Sequence, residues 1–148
     1  MRDLLDQKAF VSIIDRATPS IELTLTSNVM FFKTDITNLE EIASGVESTA
    51  KWASKTGAPL GGVINCAGSG TAAKIIDANN KPHPLDVWNF TLAVNLTGAF
   101  NLTRLVLQHL VKVDPETGED GEKGVIVFVA SSAAVSPNIF SCATPFIG

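Results

Sequence analysis

Four short stretches of this chain, FVSII (10–14), VMFF (29–32), GGVIN (61–65) and VIVFV (125–129), are apolar almost without interruption. A strand with one face in water alternates apolar and polar residues. Continuous apolarity therefore predicts strands covered on both faces, as in a parallel sheet. Between the second and third stretches, Leu39, Ile42, Val46, Ala50 and Ala53 recur at spacings of three and four behind a capping box formed by Thr37 and Glu40, which predicts an amphipathic helix. Between the third and fourth, Trp88, Leu92, Leu96, Ala99, Leu102, Val106 and Leu110 predict a second helix, with a break at Gly98. The alternation of strand and helix is that of a doubly wound α/β domain, with right-handed crossovers and ligands beyond the carboxyl ends of the strands.

Composition narrows the function classes. With 148 residues, 45% of them hydrophobic, the chain suits one domain, 1–148, with a substantial core. A net charge of −4 and a pI near 5.0 argue against nucleic acid or an anionic membrane as partner, since both need a basic patch. No run reaches the roughly eighteen uninterrupted apolar residues of a membrane span, and the opening MRDLLDQ has no apolar block of a leader. Cys66 and Cys142 lack metal-ligand or paired spacing, so no metal site is expected, and the reading is a reduced intracellular protein, cytoplasmic or mitochondrial. Cys66 itself is expected to be a packed thiol. Asn89, Asn95 and Asn101 begin glycosylation sequons, but inside a predicted helix. The chain contains no tyrosine.

Each predicted strand delivers a polar or glycine residue to its carboxyl end. Asp15 follows the first strand, and an acid there accepts both hydroxyls of an adenine ribose and repels a 2'-phosphate, which favours NAD over NADP; Arg16, next in sequence, softens that preference. Asp35 and Ile36 follow the second strand and suit an adenine pocket, the acid at its rim and the apolar side chain on the ring. The third strand runs into NCAGSG, where Asn65 is expected to bond backbone across neighbouring strands and Gly68 to let main chain approach a ligand. The fourth runs into Ser131 and Ser132.

In order, IIDR, DIT, INCAGSG, NLTGAF and GVIVFVASSAA resemble the short-chain dehydrogenase/reductase family over about residues 10–135. NCAG and the stretch KIIDANNKPHPLDVW are most similar to the branch acting on 3-hydroxyacyl-CoA thioesters and hydroxysteroids. The resemblance implies a partial Rossmann-like sheet binding NAD, with Asp15 selecting NAD, Asp35 and Ile36 at the adenine, and Asn65, Ala67 and Gly68 along the cofactor. It also implies a small-molecule alcohol or ketone substrate and a homo-oligomer. Asn95 matches the asparagine that anchors a water in the family's proton relay. Ser131, by counting from Gly124, or Ser132, by the commoner SSAA pattern, matches the serine that binds the substrate carbonyl.

The family's general acid–base is a tyrosine one helical turn from a lysine, a dozen or so residues beyond that serine. Here that place reads CATPFIG, and no lysine follows Lys123. A family member also opens with a strand and a TGxxxGxG phosphate turn, whereas MRDLLDQKAF resembles the end of the helix after that turn. The implied fold thus has its first strand and carboxyl-terminal portion missing. That strand would lie between FVSII and GGVIN, leaving two apolar edges. The implied alternatives are a non-catalytic partner of an intact relative, joined through the Trp88 to Leu110 helix, and a truncated product without stable function.

Overall fold

The computed structural model describes residues 1–70, 74–114 and 121–131, apart from the side chain of Thr24. Ser132 and Cys142 lie outside them. A single helical turn, α1 (Arg2–Asp6), leads into β1 (Val11–Asp15). A short helix, α2 (Ile21–Thr24), precedes β2 (Val29–Lys33), which pairs in parallel with β1 from Val11 opposite Val29 to Asp15 opposite Lys33. Next come α3 (Leu39–Thr56), β3 (Gly62–Asn65), the helices α4 (Leu85–Leu92) and α5 (Ala99–Leu110), and β4 (Val125–Phe128), parallel to β3. Gly62 and Val125 open that ladder so closely that a Cβ on Gly62 would strike the Val125 carbonyl.

The α/β alternation and the parallel pairing are as expected, and so are the two open edges. β1 pairs with β2 and β3 with β4, while β1 and β3 share no ladder. One core nevertheless serves both sheets. Ile42 and Val46 of α3 meet Leu102, Val106 and Leu110 of α5, and Ile14 of β1 and Val63 of β3 pack against that cluster. Ile42 is fully buried.

The expectation of strands buried on both faces is corrected. No residue of β1 or β2 is fully buried, and every residue of β4 is exposed, Phe128 by 58%. Among the described residues the long helices α3 and α5 cover the sheets through this one core, so the opposite side chains stay half open.

The cap of α3 is displaced by one residue from the expected box. Asn38, in extended backbone, accepts from the amides of Glu40 and Glu41 and returns a bond from its Nδ2 to Glu41 Oε1 at 3.0 Å. Asparagine is a strong cap residue, so Thr37 is freed for the loop before it. Leu39, expected on the buried stripe, is 45% exposed because it sits in the first turn, beyond the reach of α5.

No break occurs at Gly98. Helix continues from Leu85 to Leu110 through a π turn, Ala93–Gly98. A π turn inserts about one extra residue, which rotates the downstream residues by roughly 100° relative to a regular helix. In a uniform helix the mean direction of Thr91 and Val94, before and within the turn, would lie about 90° from that of Leu102, Val106 and Leu110, and the turn brings the two sets to a common buried side. This 26-residue helix reaches a mean hydropathy of 1.3 in its most apolar window, and by length and composition it is enough to cross a membrane. The count of uninterrupted apolar residues missed that. In this fold Leu102, Val106 and Leu110 serve the core.

Candidate functional site

The carboxyl ends of β2 and β3 meet at the π turn. Ile36, just past β2, approaches Gly98 so closely that a Cβ there would lie 2.6 Å from the Ile36 carbonyl oxygen. Just past β3, Asn95 of the same turn grips Ser69 with both ends of its amide. The Ser69 N–H donates to Asn95 Oδ1 at 2.7 Å, and Asn95 Nδ2 donates to the Ser69 carbonyl at 2.9 Å. The loop after β3 is thereby fixed against the helix.

Around this junction the expected residues fall into place unevenly. Asp15 ends β1, exposed, and its Oδ1 accepts the Ala17 N–H at 2.8 Å. Asp35 Oδ1 accepts from both the amide and the hydroxyl of Thr37, at 2.9 and 2.7 Å. The Thr37 hydroxyl and then its N–H hold the Asp35 carboxyl below its usual value; burial opposes them, and the Arg16 charge, the smallest influence, adds to the lowering. The Asp35 N–H in turn donates to Glu41 Oε2 at 2.7 Å. Ile36 packs against the core cluster. Ala67 and Gly68 are exposed, and nothing stands closer than 3.8 Å to where a Gly68 Cβ would be, so the protein's own packing does not require glycine there.

Asn65 corrects its expectation. It is buried, and its Nδ2 donates to Thr103 Oγ1 of α5 at 3.1 Å, so its side chain ties strand to helix rather than strand to strand. Cys66, expected to be packed, is exposed, because the chain has already left β3 for the surface loop. Ser131 is exposed at the end of the described chain beyond β4, and Ser132 is outside it. Asn95, expected to anchor a water, spends its side-chain amide on Ser69. Sequence reasoning missed Thr103 and Ser69, since only the docking of α5 and the π turn on β3 selects them.

Among the described residues no group of three or more histidines, cysteines or acids could hold a metal. An open recess of about 240 Å³, lined by Phe31, Lys33, Thr34, Glu41 and Ser44, lies between β2 and α3, away from the loop after β3. The strand ends suit the adenosine side of a dinucleotide. Asp15 is exposed with one oxygen committed, and Asp35 stands ionised beside it. They do not suit the pyrophosphate. The first turn of α3 carries Glu40 and Glu41 and that of α4 carries Asp86, and acids at a helix start repel phosphate.

The short chain dehydrogenase family model matches residues 2–143. The chain belongs to the short-chain dehydrogenase family. It is 34% identical over 116 residues to the 3-hydroxyacyl-CoA dehydrogenase type-2 of Drosophila melanogaster, a match covering 78% of this chain and 43% of that one. The human enzyme of the same name is 33% identical over 74% of this chain and 40% of its own. Ipsdienol dehydrogenase of Ips pini is 28% identical over 90% and 51%. The chain thus spans about half, or less, of the length of these relatives. Among solved structures, 3-hydroxyacyl-CoA dehydrogenase type-2 from Mycobacterium avium superposes with a TM-score of 0.81 at 24% identity, over 99% of this chain and 55% of that one. A short-chain dehydrogenase from Leptospira borgpetersenii with bound NAD+ gives 0.68 at 23% identity, over 93% and 47%. As a member of that family the chain is an α/β protein of the Rossmann type, partial relative to these structures.

Proposed function

We propose that this chain carries the adenosine-binding side of an NAD-dependent oxidoreductase acting on a secondary alcohol, a 3-hydroxyacyl-CoA or a hydroxysteroid, and that the 148 residues alone do not turn over. The observation that carries the reading is the strand-end constellation: Asp15 and Asp35 beside Arg16, with the 66–69 loop clamped by Asn95. Asp15 meets the ribose hydroxyls, Asp35 and Ile36 border the adenine, and Ala67 and Gly68 line the path toward the nicotinamide. NAD supplies the hydride acceptor when bound. Ser131 or Ser132 holds the substrate carbonyl. A general acid–base is lacking, since the sequence has no tyrosine, and its loss typically costs about 10²- to 10⁴-fold in rate. The exposed thiol of Cys66 suits a reducing cytoplasmic or mitochondrial compartment.

Calorimetric titration of the purified chain with NAD and with NADP tests the reading. Expected are weak binding, a preference for NAD that Asp15→Ala removes, and no hydride transfer to acetoacetyl-CoA. Equal affinity for both nucleotides, unchanged by Asp15→Ala, would overturn it.

A second reading rests on the outer side of the long helix. Leu96, Phe100, Leu107 and Val111 are exposed by 53, 63, 37 and 58%, an apolar stripe fit for a helix of an intact relative. Co-expression with such a relative followed by size exclusion decides it, and separate elution removes it.

A further inference from the structure

The loop between β2 and α3 is fixed twice, once through its main chain and once through the Asp35 side chain. The Asp35 N–H donates to Glu41 Oε2 at 2.7 Å, Glu41 Oε1 accepts from Asn38 Nδ2 at 3.0 Å, and Asn38 Oδ1 accepts from the amides of Glu40 and Glu41 at 3.0 and 3.2 Å. The first turn of α3 therefore holds the Asp35 backbone without help from Thr37. The carboxyl is held separately. Its Oδ1 accepts the Thr37 hydroxyl at 2.7 Å and the Thr37 N–H at 2.9 Å, and its Oδ2 accepts nothing among the described residues. Two donors on one oxygen fix both the place of that oxygen and the rotation of the carboxyl plane, so Oδ2 faces outward in one set direction. The same two donors keep the group ionised at neutral pH, and an ionised carboxylate only accepts.

We propose that Thr37 is a positioning residue whose hydroxyl makes Asp35 a selector of 6-amino over 6-oxo purines. This role rests on the adenosine-side reading of the strand ends and adds to it the residue that sets the choice of base. A 6-amino purine presents N–H donors at C6 and a bare acceptor at N1, whereas a 6-oxo purine presents an acceptor at C6 and an N–H at N1. The two edges have the same shape and opposite polarity. A fixed Oδ2 opposite C6 accepts from the amino group and repels the oxo group. A carboxyl free to turn would reach the N1–H of the oxo purine instead and would take both bases. The Thr37 N–H by itself gives Oδ1 one bond, about which the carboxyl can still rotate; the hydroxyl at 2.7 Å removes that freedom. Thr37 thus acts through Asp35 and touches no ligand itself.

The test is calorimetric titration of the full chain with NAD and with nicotinamide hypoxanthine dinucleotide, which differ only at C6 and N1 of the purine. NAD is expected to bind about ten-fold more tightly, the worth of one hydrogen bond to a charged group. Thr37→Val, which keeps the N–H and the shape, is expected to bring the two within about three-fold, and Thr37→Ser to restore the difference. In Asp35→Asn the two Thr37 donors hold the amide oxygen in the place of Oδ1, so Nδ2 stands where Oδ2 stood and the preference is expected to invert toward the 6-oxo purine. An unchanged ratio in Thr37→Val, an equal loss for both dinucleotides there, or no inversion in Asp35→Asn would each overturn the role of Thr37. Equal binding of both by the unaltered chain, while Asp15→Ala still removes the preference for NAD over NADP, would overturn the selector and leave the adenosine-side reading standing. Binding of neither dinucleotide would overturn both.

Discussion

At the scale of single residues, Asn95 holds more structure than its place in a motif suggests. Asn95→Ala leaves the half-buried N–H and C=O of Ser69 without their partners, a loss expected to cost about 1–3 kcal/mol and to be read from the urea midpoint. Two glycines near it separate folding from binding. Gly98→Ala drives a methyl into the Ile36 carbonyl and is expected to destabilise by about 1–3 kcal/mol, whereas Gly68→Ala only touches Asn95 Oδ1 at 3.8 Å and should leave stability within about 0.5 kcal/mol while weakening NAD binding. Thermal melts with and without NAD distinguish the two. Asp35 has a folded-state pKa lowered below 3.8, so its ionised form contributes stability that is complete above that value and disappears as pH falls through the lowered one. The melting temperatures of wild type and Asp35→Asn are therefore expected to differ by a constant amount at neutral pH and to converge in acid below about pH 4. The sequence showed that Asp15, Asp35 and Asn95 sit at strand ends or on the second helix. It did not show that Asn95 grips Ser69, because that bond joins residues 26 apart and exists only once helix and strand have docked.

At the scale of elements, the strands were legible to within a residue at each end because their apolar runs are bounded by Asp, Lys, Gly and Asn. Their burial was not legible. Continuous apolarity reports what a strand can bury, and the layers supplied around it decide what it does bury. The cap of α3 shows the same limit locally. TNLE fits a box beginning at Thr37 or a cap at Asn38 equally well by pattern, and the backbone at Asn38 decides. Asn38→Ala is expected to cost about 0.5–2 kcal/mol, while Thr37→Ala leaves the cap intact and loosens only Asp35; denaturant melts of the two variants compare them. The π turn is an element that no periodicity at 3.6 residues could announce, although the drift between the buried positions on either side of Gly98 is its trace in the sequence.

At the scale of the whole molecule, the two sheets depend on a single cluster. Trp52 on α3 stacks edge-on against Phe10 beside β1, and Trp88 lies on α4, so each half carries its own fluorescent reporter. Single-tryptophan variants are expected to melt at the same denaturant concentration, since Ile42, Leu102 and Val106 couple the halves, and Ile42→Ala should lower both midpoints together, for a loss of about 2–5 kcal/mol in stability. Separate transitions would mean that the two halves fold independently. His109 on α5 and Glu47 on α3, 3.2 Å apart, cross the same seam near the surface.

The sequence by itself determined the kinds and order of the elements, the parallel sense of the strands, the acidic strand ends and the family, because each of these is written in local periodicity or in short ordered motifs. Tertiary structure alone decided that the helices cover the sheets through one core, and that Asn65 and Asn95 reach Thr103 and Ser69. Those outcomes depend on the balance of contacts between segments tens of residues apart, and no local pattern records which of two compatible dockings buries more surface and satisfies more polar groups.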